Sequence, residues 1–279
     1  KKALSDVENA ETRLAEAENN EDKDKQVEWQ KKAKEYQEGL IKTLQNKDAA
    51  QHILEKVQSK LREFQYEPDS ILFELFQNAD DAVLQLARCE SFPDKKIDIV
   101  EQCQHFRIIV RDNTVYAMHW GRPINDRCST EAQERWSGYG KDLEKMLILS
   151  ASDKPDDRAV TGRFGLGFKS VFLACDAPKI ISGDLRVNIV AGFLPEVWKE
   201  AEEAQSLLRS YTENPRYSGT LVALPLRQGI QPDELLNRFK QQQTLLCMTS
   251  KTLRHISIGE DSFTWSPKLL GLNKKLEFS

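Results

Sequence analysis

The sequence predicts a mixed α+β fold, helices first and sheet afterwards, and three observations carry that expectation. Apolar residues keep a three-four spacing up to about residue 88. β-Branched and alternating runs then take over, beginning with "KIDIVEQ", "HFRIIVRD" and "TVYAMHW". Glycine divides the chain at the same place: only Gly39 precedes Gly121, and the other twelve glycines lie from Gly121 onward.

Each element can be justified in order. Ala3, Val7, Ala10, Leu14 and Ala17 form one seam; after the charged break "NNEDKDKQ", Trp29, Ala33, Tyr36, Leu40 and Leu44 resume it. Residues 1–49 therefore read as a helical hairpin or short coiled coil, an alanine-rich arm with a charged outer face suited to a protein partner. A helix "AAQHILEKVQSKLREF" opens the main domain, expected over 50–279. Pro68, Asp69 and Ser70 start the next helix, which runs from about 69 to 88. "RDNT" has hairpin-turn composition between two strands. Residues 125–161 are mostly polar around the island "DLEKMLILSAS", a length that suits a lid or binding loop. "TGRFGLGFKSVF" follows as a glycine-rich turn before a helix. "KIISGDLRVNIVAGF", "SGTLVALPL" and "LRHISIGE" read as strands, and "EVWKEAEEAQSLLRSY" and "PDELLNRFKQQQTLLCM" as helices.

Composition excludes several classes. At 279 residues and 39% hydrophobic content, the chain can bury one substantial core. Its longest apolar runs, "KMLILSAS" and "VNIVAGFL", are far shorter than the ~20 residues of a bilayer span, and "KKALSDVENA" has no signal-peptide core, so a cytoplasmic protein without a membrane partner is expected. A net charge of −4 gives no indication of nucleic acid. Cys89, Cys103, Cys128, Cys175 and Cys247 show no CxxC spacing and suggest neither zinc nor a disulfide framework. The chain opens without Met and ends on "KKLEFS", which fits a piece of a larger, multidomain protein.

Chemistry concentrates in two motifs. In "FELFQNADDA", Glu74, Asn78 and Asp81 stand four and three residues apart, which gathers them on one helical face beside the apolar stripe of Leu72, Phe73, Leu75 and Phe76. In "TGRFGLGFKSVF", Gly162, Gly165 and Gly167 allow close backbone approach, the following "FKSVFLA" would turn helical N–H groups toward a phosphate, and Lys169 could add a charge. Together they describe a triphosphate site: an amide oxygen suits a hard Mg²⁺ ion, and a carboxylate one turn earlier can orient and deprotonate water.

The wording of these motifs resembles the GHKL ATPases, the superfamily of gyrase, the heat-shock chaperone, histidine kinases and MutL. "ELFQNADDA", "GRFGLGFKSVFLACD" and Gly219-Thr220 in "SGTLVALPL" occur in that family's order over about residues 50–225, and are most similar to the chaperone and sacsin-like ATP-binding domains. The resemblance implies the Bergerat fold, a two-layer α/β sandwich with a mixed sheet and ATP held between helices and lid. It implies Glu74 as general base, Asn78 as Mg²⁺ ligand, Asp81 as the acidic end of the motif, and Thr220 near the adenine. Gly162, Gly165, Leu166, Gly167 and Phe168 would form the phosphate loop, with Lys169 beside it.

One departure stands out. The family expects DxGxG after a strand, with the Asp accepting from the adenine amino group. Here "HWGRPI" sets His119 at the Asp position, Gly121 at the first Gly and Pro123 at the second. Asp112 is the alternative, but it lies in the turn before the strand. A neutral imidazole accepts at one nitrogen and an imidazolium at none. The expected function is a Mg²⁺-dependent ATPase module binding ATP and ADP, with lid closure and a nucleotide-dependent dimer as companions. The alternative is a nucleotide sensor with little hydrolysis, for example within a bacterial defence protein.

Overall fold

A computed structural model describes residues 47–90, 101–126, 142–147, 167–211 and 218–265, with isolated positions before them. Most of the expected arm over 1–49 and most of the expected lid over 125–161 therefore lie outside the described residues, as do Gly162, Gly165 and Leu166. The chain divides into two compact units, Lys1–Lys56 and Val57–Ser279, and the sheet lies in the second.

The α+β expectation is met by an open, eight-stranded mixed sheet with helices. Its strands are β1 (His105–Arg111), β2 (Thr114–His119), β3 (Lys179–Ser182), β4 (Leu185–Val190), β5 (Leu194–Val197), β6 (Thr220–Pro225), β7 (His255–Ile258) and β8 (Asp261–Thr264). They are ordered β5-β4-β3-β6-β2-β1-β7-β8. Every neighbouring pair is antiparallel except β1 and β7, which run parallel. From Lys47 onward the α-helices among the described residues are α1 (Lys47–Glu63), α2 (Ile71–Glu90), α3 (Asp142–Leu147), α4 (Glu202–Ser210) and α5 (Pro232–Thr249).

Register partners share a face of the sheet, so the pairings define a row: Phe106, His119, Thr220, Ser182, Leu185. The Phe106 end of this row meets the helices. Phe76 of α2 lies 5.4 Å from Phe106 and 6.0 Å from Phe239 of α5, with edge-on rings, and Phe106 and Phe239 are 5.9 Å apart. This aromatic cluster explains the apolar stripe of "ILFELF": Ile71, Leu72, Leu75 and Phe76 are all buried. The polar residues of α2 are thereby left to its other faces. Arg107, next along β1, points to the opposite side, with its guanidinium 4.2 Å from the centre of the Tyr211 ring.

The "RDNT" turn forms as expected. Asp112 and Asn113 both have positive φ, 44° and 58°, between the paired residues Arg111 and Thr114, which is the backbone a two-residue hairpin needs. Three boundaries differ from expectation. Within "KIDIVEQ", residues 96–100 lie outside the described set and Glu101–Gln104 is a short 3-10 turn rather than strand. "EVWKEAEEAQSLLRSY" begins too early as a helix: Leu194–Val197 is an edge strand, and α4 starts at Glu202. A reversal at Ala191 and Gly192, φ 54° and 87°, lays Leu194 against Val190, and Pro195 is tolerated because β5 is at the sheet edge. "FKSVFLA" is a 3-10 helix, Phe168–Leu173, with all six residues buried. Ser170 tightens its first turn by bonding Gly167 O from both its N–H (3.1 Å) and its hydroxyl (2.7 Å).

Candidate functional site

Helix α2 carries the site. Glu74, Asn78 and Ala82 follow one another at four-residue intervals and so form a single column on its surface. At the lower end of the column stands Gly167: a Cβ there would collide with Glu74 Oε2. At the upper end stands Gly121, whose Cβ position is 2.5 Å from both the Ala82 carbonyl carbon and the Val83 nitrogen. Arg122 N–H donates to Ala82 O at 2.9 Å and fixes that approach. The two glycine motifs, far apart in sequence, thus abut one helical column at points about 12 Å apart along its axis, from 1.5 Å of rise per residue. Space requires glycine at Gly121, which meets backbone, whereas at Gly167 the obstacle is the movable tip of the Glu74 side chain.

Glu74 is half-buried, and burial raises its pKa above the ordinary carboxylate value. Tyr66 lies in its field: burial first, and the Glu74 charge second, raise the phenol's pKa. Asn78 is exposed, its amide open to solvent. Phe168, by contrast, is buried in the wall behind Gly167.

Asp81, expected in the same column, has its carboxylate in an exposed ion pair with Lys251 Nζ at 2.7 Å. Its neighbour Asp80 is the buried acid. Asp80 accepts from Thr252 N and Oγ1, Lys251 N and Leu253 N, all between 2.6 and 3.0 Å. Burial pushes its pKa up, but these donors outweigh that and hold it below the ordinary value. The "DD" of the motif thus has a surface member and a structural member that ties α2 to the loop before β7.

Lys169 is not held out as a charge beside a phosphate. It is completely buried, donates from Nζ to Leu147 O at 2.9 Å, and burial lowers its pKa to about 7. The last turn of α3 takes up its ammonium. The first residue of α3 is held by a residue the sequence reading missed, Arg122. This side chain is 3% exposed and forms a fork on Asp142, 2.8 and 3.0 Å, while Nε donates to Gln85 of α2 at 2.9 Å and Nη1 to Asp126 O at 2.5 Å. Asn125 completes the joint, its N–H on Asp142 Oδ2 and its Oδ1 on Leu143 N–H. The available signal was an arginine directly after Gly121 and an aspartate at the start of "DLEKML".

The end of β2 is the second pole of the site. His119 Nδ1 accepts from the Gly121 N–H at 3.2 Å, and burial lowers the imidazole pKa to about 4. Thr220 is its register partner, and Thr220 Oγ1 lies 2.6 Å from Ser182 Oγ, which also accepts from Ile124 N–H at 2.8 Å. Asp112 sits at the opposite end of β2, in the exposed hairpin turn, and so is not part of this cluster. A groove of about 1040 Å³ opens beside Ser182, bordered by Ile124, Asn125, Asp184, Arg186 and Arg209; Glu74, Asn78 and Gly167 do not line it. The groove and the helical column are separate features.

Among the described residues, no group of three or more His, Cys, Asp or Glu could hold a metal ion, and no helix is long and apolar enough to cross a membrane. Cys103, Cys175 and Cys247 are buried.

No family model matches the chain. It is 30% identical over 177 residues to the chaperone protein HtpG of Nitrosomonas europaea, a match that covers 61% of this chain and 25% of the relative. It is also 30% identical over 198 residues to the chaperone protein HtpG of Salmonella typhi, covering 67% of this chain and 28% of the relative. The chaperone protein HtpG of Rhodococcus jostii is 26% identical over 176 residues, 60% of this chain and 25% of the relative. The matches thus span about a quarter of these curated relatives, and what they establish is a distant likeness between this chain and part of a chaperone.

Proposed function

We propose that the main domain, residues 50–279, binds a Mg²⁺–nucleoside triphosphate and hydrolyses it, as the nucleotide module of a larger chaperone-like protein. The observation that carries this reading is the column Glu74–Asn78–Ala82 with a glycine packed closely against each end. Such an arrangement accommodates an elongated ligand, phosphates toward Gly167 and base toward Gly121 and His119. The GHKL resemblance of the motifs and the similarity to HtpG proteins support the same reading.

The donor set fits Mg²⁺ in one way. Asn78 offers a single neutral, exposed oxygen, and the described residues form no cage, so Asn78 is the residue that would hold the ion; Mg²⁺ keeps several waters and takes few protein ligands. When bound, it would neutralise phosphate charge. Glu74, its pKa raised by burial, then takes the proton of the attacking water. Gly162, Gly165 and Leu166 complete the phosphate loop in this reading, residues 125–161 act as the lid, and residues 1–49 form an arm that docks a protein partner in the cytoplasm. Nucleotide-dependent dimerisation belongs to the same proposal.

The test is calorimetric. Asn78→Ala is expected to weaken Mg²⁺-dependent ATP binding about tenfold or more while leaving adenosine binding within a few-fold, since the lost interaction acts through the metal and the phosphates. Equal weakening of both ligands would mean that Asn78 supports the fold and not the metal. Absence of nucleotide binding by the wild-type chain at millimolar concentration would remove the proposal.

A further inference from the structure

His119 occupies the place where the motif pattern expects an acidic acceptor, and its hydrogen bonding fixes what it can offer instead. The Gly121 backbone N–H points at Nδ1, 3.2 Å away. A backbone amide can only donate, so Nδ1 carries the lone pair and the proton of the neutral ring sits on Nε2. Gly121 has no freedom to release this bond. It is pressed against the Ala82 and Val83 backbone, and the next residue is hydrogen-bonded to Ala82 O. The tautomer of His119 is therefore set by how the strand end docks on α2.

The neighbouring groups do not reverse this polarity. Thr220 Oγ1 and Ser182 Oγ share one hydrogen bond, and Ser182 also accepts from Ile124 N–H; hydroxyls of this kind rotate to donate or accept as a ligand requires. Trp120, the next residue, turns its indole the other way, against the Cβ position of Gly219, and is not part of this row. Among the described side chains of this row, His119 Nε2–H is thus the one donor of fixed direction, beside two hydroxyls that adapt.

We infer that this end of the site reads an acceptor on the edge of the base, so that a 6-oxo purine nucleotide is favoured over adenosine nucleotide. The inference rests on the nucleotide-site reading above and specifies its substrate class. A 6-amino group brought to His119 Nε2 sets donor against donor, and both lose their hydrogen bonds with water without replacement; a 6-oxo group accepts the Nε2 proton directly. Inosine triphosphate is the cleanest probe, because it exchanges the 6-amino group for oxygen without adding the 2-amino group of guanine.

The experiment is equilibrium titration of the full chain with ITP, GTP and ATP in the presence of Mg²⁺. Wild type is expected to bind ITP about tenfold more tightly than ATP, the scale of one hydrogen bond lost between unpaired donors. His119→Asp, which restores an acceptor, is expected to reverse the order. His119→Gln is the second variant: its amide can turn either a donor or an acceptor to the base, so the ITP/ATP ratio should fall to near one even if the Asp variant fails to fold. A wild-type preference for ATP over ITP, or a ratio unchanged in His119→Gln, overturns the inference while leaving the nucleotide site intact. Failure of wild type to bind any of the three overturns the nucleotide reading as well.

Discussion

Glu74→Gln is expected to bind Mg²⁺–nucleotide within a few-fold of wild type and to hydrolyse it ~100-fold or more slowly, the usual contribution of a positioned general base. The amide is nearly isosteric, so the contact with Gly167 survives while the basic oxygen is lost. Two observations give Glu74 this weight. Burial raises its pKa toward working pH, which strengthens it as a base, and the absence of a Cβ at Gly167 leaves room for Oε2 at the mouth of the glycine motif. The same geometry makes Gly167→Ala informative: its methyl group displaces a flexible carboxylate tip, so hydrolysis should fall with little loss of thermal stability. Steady-state phosphate release at saturating nucleotide measures both. Undiminished turnover in Glu74→Gln would take the residue out of the chemistry.

Asp80→Ala is expected to cost about 3 kcal/mol or more of folding stability, whereas Asp81→Ala should stay within about 1 kcal/mol. The two carboxylates are adjacent, yet their surroundings are opposite. Removing Asp80 leaves the N–H groups of Lys251, Thr252 and Leu253 and the Thr252 hydroxyl without their buried acceptor. Removing Asp81 breaks a pair whose side chains are 40% and 51% exposed. The pH dependence follows from the depressed pKa of Asp80. Its contribution is fully present above the unfolded value of 3.8 and is lost as pH falls through the lower folded value, because there the unfolded chain holds the proton first. Denaturant midpoints of the three proteins at pH 7 and at pH 3 measure both effects; equal midpoints for the two variants at pH 7 would refute the assignment.

Local patterns carried the fold, and long-range joints did not show in them. The "RDNT" turn and the alternation of β1 and β2 were legible because two positive-φ positions and a period of two are properties of adjacent residues. The column of Glu74 and Asn78 was legible for the same reason, since a helical face is a spacing rule. The wheel could not say which of Asp80 and Asp81 is buried: the choice is made by the loop at 250–253, which sequence pattern does not bring to α2. Arg122 was missed because its partners, Gln85, Asp126 and Asp142, come from three separate segments. Lys169 was read as a charge beside the phosphate loop because a lysine after a glycine turn is ordinarily exposed, and only tertiary packing puts it under the end of α3.

The parallel pairing of β1 with β7 has a consequence for how the chain reaches this structure. Phe106 and Ile108 lie in the interior of the sheet because Ile256 and Ile258, from near the other end of the described chain, complete the ladder beside them. Until β7 arrives, the β1–β2 hairpin is a sheet edge with apolar side chains on a strand able to recruit any other strand. The pairing has high contact order, and such topologies fold slowly, because the entropy of closing the loop is lost before the contact forms. Asp80 bears on this step: by gathering the N–H groups of residues 251–253 it holds the segment just before β7 against α2, in position to add to β1. A chain stopped after Ser250 lacks both the strand and the donors that guide it. It is therefore expected to self-associate, as light scattering would report, and a monodisperse truncated protein with native circular dichroism would argue that β7 is dispensable. Synthesis from the N-terminus thus leaves this domain with an open template for as long as its last strands are still to come.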